Sequence, residues 1–227
     1  RLTRRIADHL FTFAAGTLLG VAFLDLLPEA FAEGTSTGFA APALLGWTLG
    51  GFLTFFVLEL VARKFHAHTE TARDLPGSRA ETPWLVTIGD SLHNFIDGLA
   101  IGASFLASGP LGIVTAIGIA AHEIPQEMSD FSILLKAGWS KRMVIWTNVL
   151  SSLVAIVGGL LAYLLRDAIS PWLAPLLAVT GGMFIYIAAS NLIPEIQSRR
   201  PDKPWHVILA LGFGVAVVWL LARLIGE

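Results

Sequence analysis

Apolar residues run along this chain in seven long blocks separated by short polar or Gly/Pro-rich links. A hydrocarbon core about 30 Å thick takes roughly 20 helical residues to cross. Blocks at 9–32, 40–63, 84–107, 110–135, 142–165, 172–196 and 204–225 meet that length. The links "EGTSTGFAAP", "SGPLG", "KAGWSKR", "RDAISPW" and "RRPDKPW" supply the turn chemistry between them. The longest polar stretch, 63–83, has no apolar periodicity, so 64–83, with His66 and His68, is expected to be a mobile loop. The pattern predicts an all-α integral membrane protein, with residues 1–227 forming a single transmembrane domain.

Composition agrees with this reading. Hydrophobic residues make up 55% of the chain and charged residues only 14%, against about 25% charged in ordinary soluble domains. There is no cysteine, which excludes a disulfide framework and a thiolate metal site. A net charge of −2 gives no reason to expect nucleic acid, and without a GxxxxGK[ST] loop no ATP hydrolysis is expected.

The basic residues fix an orientation. With the N-terminus inside, Arg166 and Arg223 are the only ones of the 15 Lys and Arg to fall outside, as the positive-inside rule requires. The N-terminus and the loops 64–83, 136–142 and 197–203 are then cytoplasmic and the C-terminus lies outside. A bacterial inner membrane is the expected location.

Ionisable residues in the middle of the third and fourth blocks bring in the chemistry. His93 and Asp97 are four apart in "GDSLHNFIDGLAIG", hence on one helix face. His122 and Gln126 repeat that spacing in "AAHEIPQEMSD", with Glu123 and Glu127 on the adjacent strip. Each such group costs about 2.5–3.5 kcal/mol at the bilayer centre unless it has a partner. A short link makes the two helices antiparallel neighbours, so the clusters meet at one depth. Imidazole nitrogens with carboxylate oxygens suit Zn²⁺ or a similar transition metal, and Asn94 beside His93 is a further candidate. Pro125 removes a helical hydrogen bond from the carbonyl of Ala121, and a freed carbonyl at that depth is expected to line a polar cavity.

Two other blocks echo each other. In "GTLLGVAFLDLLPEAF" and "GGMFIYIAASNLIPEI", aligning Pro28 with Pro194 pairs Gly16 with Gly182, Asp25 with Asn191 and Glu29 with Glu195. Inverted repeats with a midplane site are typical of secondary transporters. In that plan Glu29 stands near the outer mouth and Glu195 near the inner one. A 3+2+3 inverted-repeat bundle also calls for one more helix before Arg1, eight in all.

At these residues the sequence resembles the ZIP (Zrt/Irt-like) family of divalent metal transporters. "HNFIDG" matches that family's HNFxDG motif and "HEIPQE" resembles its HExPHE motif, with "LLPE" and the His-bearing loop in support. The resemblance implies transport of Zn²⁺, or of Cd²⁺, Fe²⁺ or Mn²⁺, toward the cytoplasm by alternating access through a site holding one or two metals. It implies one metal on His93, Asp97, His122 and Gln126, and a second on Asn94, Asp97, Glu123 and Gln126. Gln126 stands where the histidine-rich subfamily has a third His. Asp25, Glu29 and Glu195 would be stepping sites, and Glu127 a neighbouring or proton-linked carboxylate. Asn148, Ser151 and Ser152 in the fifth block offer oxygens, although back-bonding of the hydroxyls within their own helix is favoured. The expected partners are the divalent ion as transported substrate and the lipid bilayer, with no organic cofactor and a homodimer left open. Two other readings stand beside it: an intramembrane zinc hydrolase, in which Gln126 breaks HExxH, and a proton-coupled antiporter working through Asp97 and Glu123 without bound metal.

Overall fold

The structure is a computed structural model that describes residues 2–72, 82–198 and 204–225; all regular structure among them is helical. The first block is one long helix, α1 (Leu2–Gly20) and α2 (Leu27–Thr37), joined by a π-helical turn at Val21–Leu26. Then come α3 (Ala41–Ala72), α4 (Thr82–Ala107) and α5 (Gly109–Lys136). The fifth block is α6 (Lys141–Ser152) and α7 (Val154–Leu164), followed by a short α8 (Arg166–Ile169). The sixth is α9 (Leu173–Tyr186), a second π turn at Ile187–Leu192, and α10 (Ile193–Ser198), and α11 (Pro204–Ile225) closes the series.

Local chemistry sets these limits. Gly38 and Gly138 take left-handed backbones, φ 82° and 95°, where a side chain would be strained, and each ends a helix. Ser108 and Ser140 begin α5 and α6, their hydroxyls accepting the amides of Leu111 and Met143. Between α6 and α7 the helix breaks at Leu153. Just before the break, Ser151 donates to the carbonyl of Asn148 at 2.9 Å, back-bonding of the kind that bends helices.

Five of the helical spans are long and apolar enough to cross a membrane on composition alone. The remaining two long helices, α4 and α5, carry the ionisable cluster. Large apolar side chains such as Leu45, Leu49 and Phe56 of α3 and Ile208, Leu209 and Phe213 of α11 point outward, as a bilayer solvent allows. α3 stays helical to Ala72, inside the stretch expected to be loop. Adding a residue to an existing helix is cheap compared with nucleating one, and this stretch is rich in Ala, Lys, Arg and Glu. Residues 73–81 lie outside the described ones, and with them most of the remaining loop.

The internal echo is structural as well. Both π turns stand directly before the Leu27–Pro28 and Ile193–Pro194 pairs, at matching positions. Proline lacks an N–H and crowds the carbonyl a turn back, and a widened turn relieves both. The packing follows the same register. α1 lies parallel to α11 so closely that a Cβ on Gly16 would strike the carbonyl of Leu211, and one on Gly214 that of Phe13. α3 lies on α9 in the same way, Gly182 against the carbonyl of Thr48 and Gly51 against that of Val179. A third pair, α4 on α7, brings Gly98 to the carbonyl of Ala155 and Gly158 to that of Phe95. Small residues in membrane helices permit this backbone-to-backbone approach.

Candidate metal centre

α4 and α5 are joined through Ser108 alone and run antiparallel in contact. That sets the polar stripe of one against the polar stripe of the other. His93 and Asp97 come from α4, His122 and Glu123 from α5, and the four offer ligand atoms all within 4.8 Å of one another. The Nε2 atoms of the two histidines are 3.3 Å apart. Asp97 Oδ2 lies 3.3 Å from His122 Nε2 and 3.5 Å from His93 Nε2. Glu123 Oε1 lies 3.5 Å from each.

These separations have a chemical meaning. Four ligands around a tetrahedral Zn²⁺ at about 2.0–2.1 Å stand about 3.3–3.4 Å from each other. Each imidazole nitrogen stands 3.3–3.5 Å from the other and from both carboxylate oxygens, the spacing a zinc shell requires of those five pairs. Asp97 and His122 are each 1% exposed, so water cannot stand in for a missing partner. Both oxygens of Asp97 and Oε1 of Glu123 are buried without a hydrogen-bond donor, and Asp97 Oδ2 and Glu123 Oε1 are the oxygens that stand beside the two imidazole nitrogens. His122 points Nδ1 at the carbonyl of Gly118, 3.4 Å away. A proton held there leaves Nε2 with its lone pair toward the centre. Phe55 from α3 and Phe184 from α9 stand edge-on to His93 and His122 and close the site on its apolar side.

A second group adjoins the first. Asp90, Glu123 and Glu127 also bring ligand oxygens within 4.8 Å of one another, so Glu123 belongs to both. Asn94 donates to the carbonyl and to Oδ1 of Asp90, each at 3.1 Å, and Gln126 donates to the same Oδ1 at 3.5 Å. Ser152 of α6 donates to Glu127 at 2.9 Å. Asn94 and Gln126 therefore face the Asp90 carboxylate, and Glu123 stands with His93, Asp97 and His122 in the four-residue group. α5 remains helical through a buried Pro125.

Sequence reasoning overlooked Asp90. Its signal was present, because Asp90, Asn94 and Asp97 recur at helical spacing on one face. The other expected residues lie apart from the two groups. Asp25 sits in the first π turn with a buried Oδ2 that lacks a donor. Glu29 is in the first turn of α2 and Glu195 in that of α10. Asn191, the counterpart of Asp25, belongs to a polar knot that was also overlooked. With its amide in the hydrogen-bonded orientation it donates to Glu59 Oε2 at 2.8 Å, and the Tyr186 hydroxyl donates to the same atom at 2.7 Å.

Known proteins share this chain's pattern. The family described as "ZIP Zinc transporter" matches residues 2–83 and 69–222. Zinc transporter ZIP13 of Mus musculus is 33% identical over 94% of this chain and 69% of its own length. Zinc transporter ZIP4 of Homo sapiens is 36% identical over 63% of this chain, and Zinc transporter ZIP10 of Homo sapiens 37% identical over 63%. The chain spans only 22% of that ZIP4 and 18% of that ZIP10.

Proposed function

The chain belongs to the ZIP zinc transporter family, transporters rather than enzymes, and on that premise we propose that it carries Zn²⁺ toward the cytoplasm through His93, Asp97, His122 and Glu123. The observation that carries this reading is the 3.3–3.5 Å spacing of the two imidazole nitrogens from each other and from both carboxylate oxygens. Two neutral imidazoles with two carboxylates make a neutral zinc complex, which is the form a low-dielectric interior tolerates.

The ion enters hydrated past Asp25 and Glu29 and sheds its water onto the two histidines. The next stop is the oxygen-only group of Asp90, Glu123 and Glu127, held in position by Asn94, Gln126 and Ser152. Carboxylates bind Zn²⁺ less tightly than imidazoles do and release it more readily, so Glu123, common to both groups, passes the ion from a tight site to a looser one. Glu195 lies further along toward the cytoplasm. In the orientation set by the basic residues, α4 begins and α5 ends on the cytoplasmic side, which puts Asp90 and Glu127 inward of the histidines. The two groups can also be filled together as a binuclear centre; Cd²⁺, Fe²⁺ and Mn²⁺ are the other candidate ions, and the inner membrane of a bacterium is the proposed location.

The test is flux in proteoliposomes. Zn²⁺ uptake is measured for the parent, for His93→Ala and for His122→Ala, and near-complete loss is expected in both variants. Uptake at the parent rate in either one would refute the assignment. An antiporter using Asp97 and Glu123 without metal would instead exchange protons while binding no Zn²⁺ at equilibrium dialysis.

A further inference from the structure

Outside the centre, histidine side chains from two different helices meet at one other place among the described residues. His9 of α1 and His206 of α11 have ring centroids 5.8 Å apart at an interplanar angle of 63°. The two histidines of the metal centre are arranged almost alike, with centroids 5.5 Å apart at 85°. Two imidazoles on one tetrahedral Zn²⁺, with Zn–N about 2.0–2.1 Å, bring their centroids to roughly 5 Å or slightly more. The peripheral pair stands at a separation one ion can bridge with little movement.

The pair is rigidly founded. α1 and α11 are in backbone contact two turns further along, through Gly16 and Gly214, and Phe13 and Phe213 meet between, with centroids 5.8 Å apart. The His206 ring is stacked on Trp205 at 3.6 Å, which limits its rotation. His9 is exposed and His206 half-buried, so the open coordination positions are accessible to water. The internal repeat places Pro175 and Ala43 at the equivalent positions of α9 and α3, neither with a side chain able to bind a metal. The two imidazoles thus mark one face of the protein only. That face is the one where α10, with Glu195, also packs on α1.

We propose that His9 and His206 form a second, peripheral divalent-metal site, a two-imidazole clamp completed by water. It holds Zn²⁺ more weakly than the buried centre because it supplies two ligands rather than four and no carboxylate. Its place on the cytoplasmic face rests on the transport reading above; its ability to bind metal does not, so the two can fail separately.

The experiment uses the whole chain in detergent and Zn²⁺ alone as the probe. The chain has six histidines. Replacing His66, His68, His93 and His122 by Ala leaves His9 and His206 as the only imidazoles, and isothermal titration calorimetry of that variant should detect a saturable Zn²⁺ site over and above any binding at the carboxylates Asp90, Glu123 and Glu127. A further His9→Gln or His206→Gln should weaken it at least tenfold. Cu²⁺, a paramagnetic quencher, should reduce Trp205 emission in the same variant, and Trp205→Phe should abolish that quenching while retaining the Zn²⁺ site. Should the four-fold variant fail to fold, His9→Gln is made in the otherwise native chain, where it should remove one Zn²⁺ equivalent and leave the tight one. Unchanged stoichiometry and affinity in His9→Gln would overturn the proposal and leave the two rings as aromatic packing at the membrane surface.

Discussion

Asp97→Asn is the sharpest single perturbation of the proposed centre, because it keeps the shape of the side chain and removes the charge. Asp97 is 1% exposed, and its Oδ2 lies 3.3 and 3.5 Å from the two imidazole nitrogens. No water can replace the lost carboxylate, and the amide leaves a bound Zn²⁺ with one anionic ligand instead of two. Losing a group that merely orients a metal ligand typically costs 10–100-fold in affinity, so losing a ligand within reach of both histidines belongs at about 100-fold or beyond. Binding to the folded state stabilises it by RT ln(1 + [L]/Kd), about 2.7 kcal/mol when free metal is 100 times Kd. For a chain of this length that is about 5–11 °C in melting temperature. At the same free Zn²⁺ concentration, a variant weakened about 100-fold retains about 0.4 kcal/mol, or about 1–2 °C. The assay is thermal unfolding of detergent-solubilised protein, metal-free and at a buffered Zn²⁺ concentration set to 100 times the parent's Kd. An Asn variant that melts normally without metal and still shows the parent's full zinc-dependent rise would refute the claim that Asp97 is a ligand.

Glycine contacts give a paired prediction in the same assay. Gly182→Ala drives a methyl group onto the carbonyl of Thr48 and should destabilise by about 1–3 kcal/mol, whereas Gly50→Ala meets nothing within 4 Å and should gain up to about 1 kcal/mol of helix propensity. A shift of the same sign in both would show that close helix approach does not set stability here. Tyr186→Phe deletes the 2.7 Å hydrogen bond to Glu59, at an expected cost of about 1–3 kcal/mol, and should accelerate hydrogen exchange in the π turn Ile187–Leu192 rather than across α9. Exchange that stays at the parent level there would mean that Glu59 does not hold the turn in place.

The helices could be read from the sequence because a bilayer imposes a length, and seven apolar blocks of that length left few choices. The four residues of the proposed centre stand out in the sequence because ionisable groups at membrane depth are costly, and each announces itself against an apolar background. Asp90 did not, because it lies nearer the helix end, where a carboxylate passes for an ordinary solvated residue. Its importance comes from α5, whose Gln126 reaches across to it, a relation between helices that no single-helix pattern contains. The same applies to Gln126, which fits the motif as a ligand but whose amide faces Asp90. Glu59 was hidden for a similar reason, since its partners Tyr186 and Asn191 lie far along the chain from it. The matched prolines at 28 and 194 were visible, but that each is preceded by a π turn follows from how backbone carbonyls rearrange around the ring.

The glycine-backed helix pairs bear on how the chain assembles. α1 packs backbone to backbone on α11, and α3 on α9. These contacts span most of the sequence, so local pairing of freshly inserted helices cannot form them. The groove along Gly16 stays unfilled until α11 has entered the membrane. Insertion and packing are therefore separate stages for these helices, and a chain interrupted before α11 leaves α1 without the neighbour that its glycines are shaped to receive.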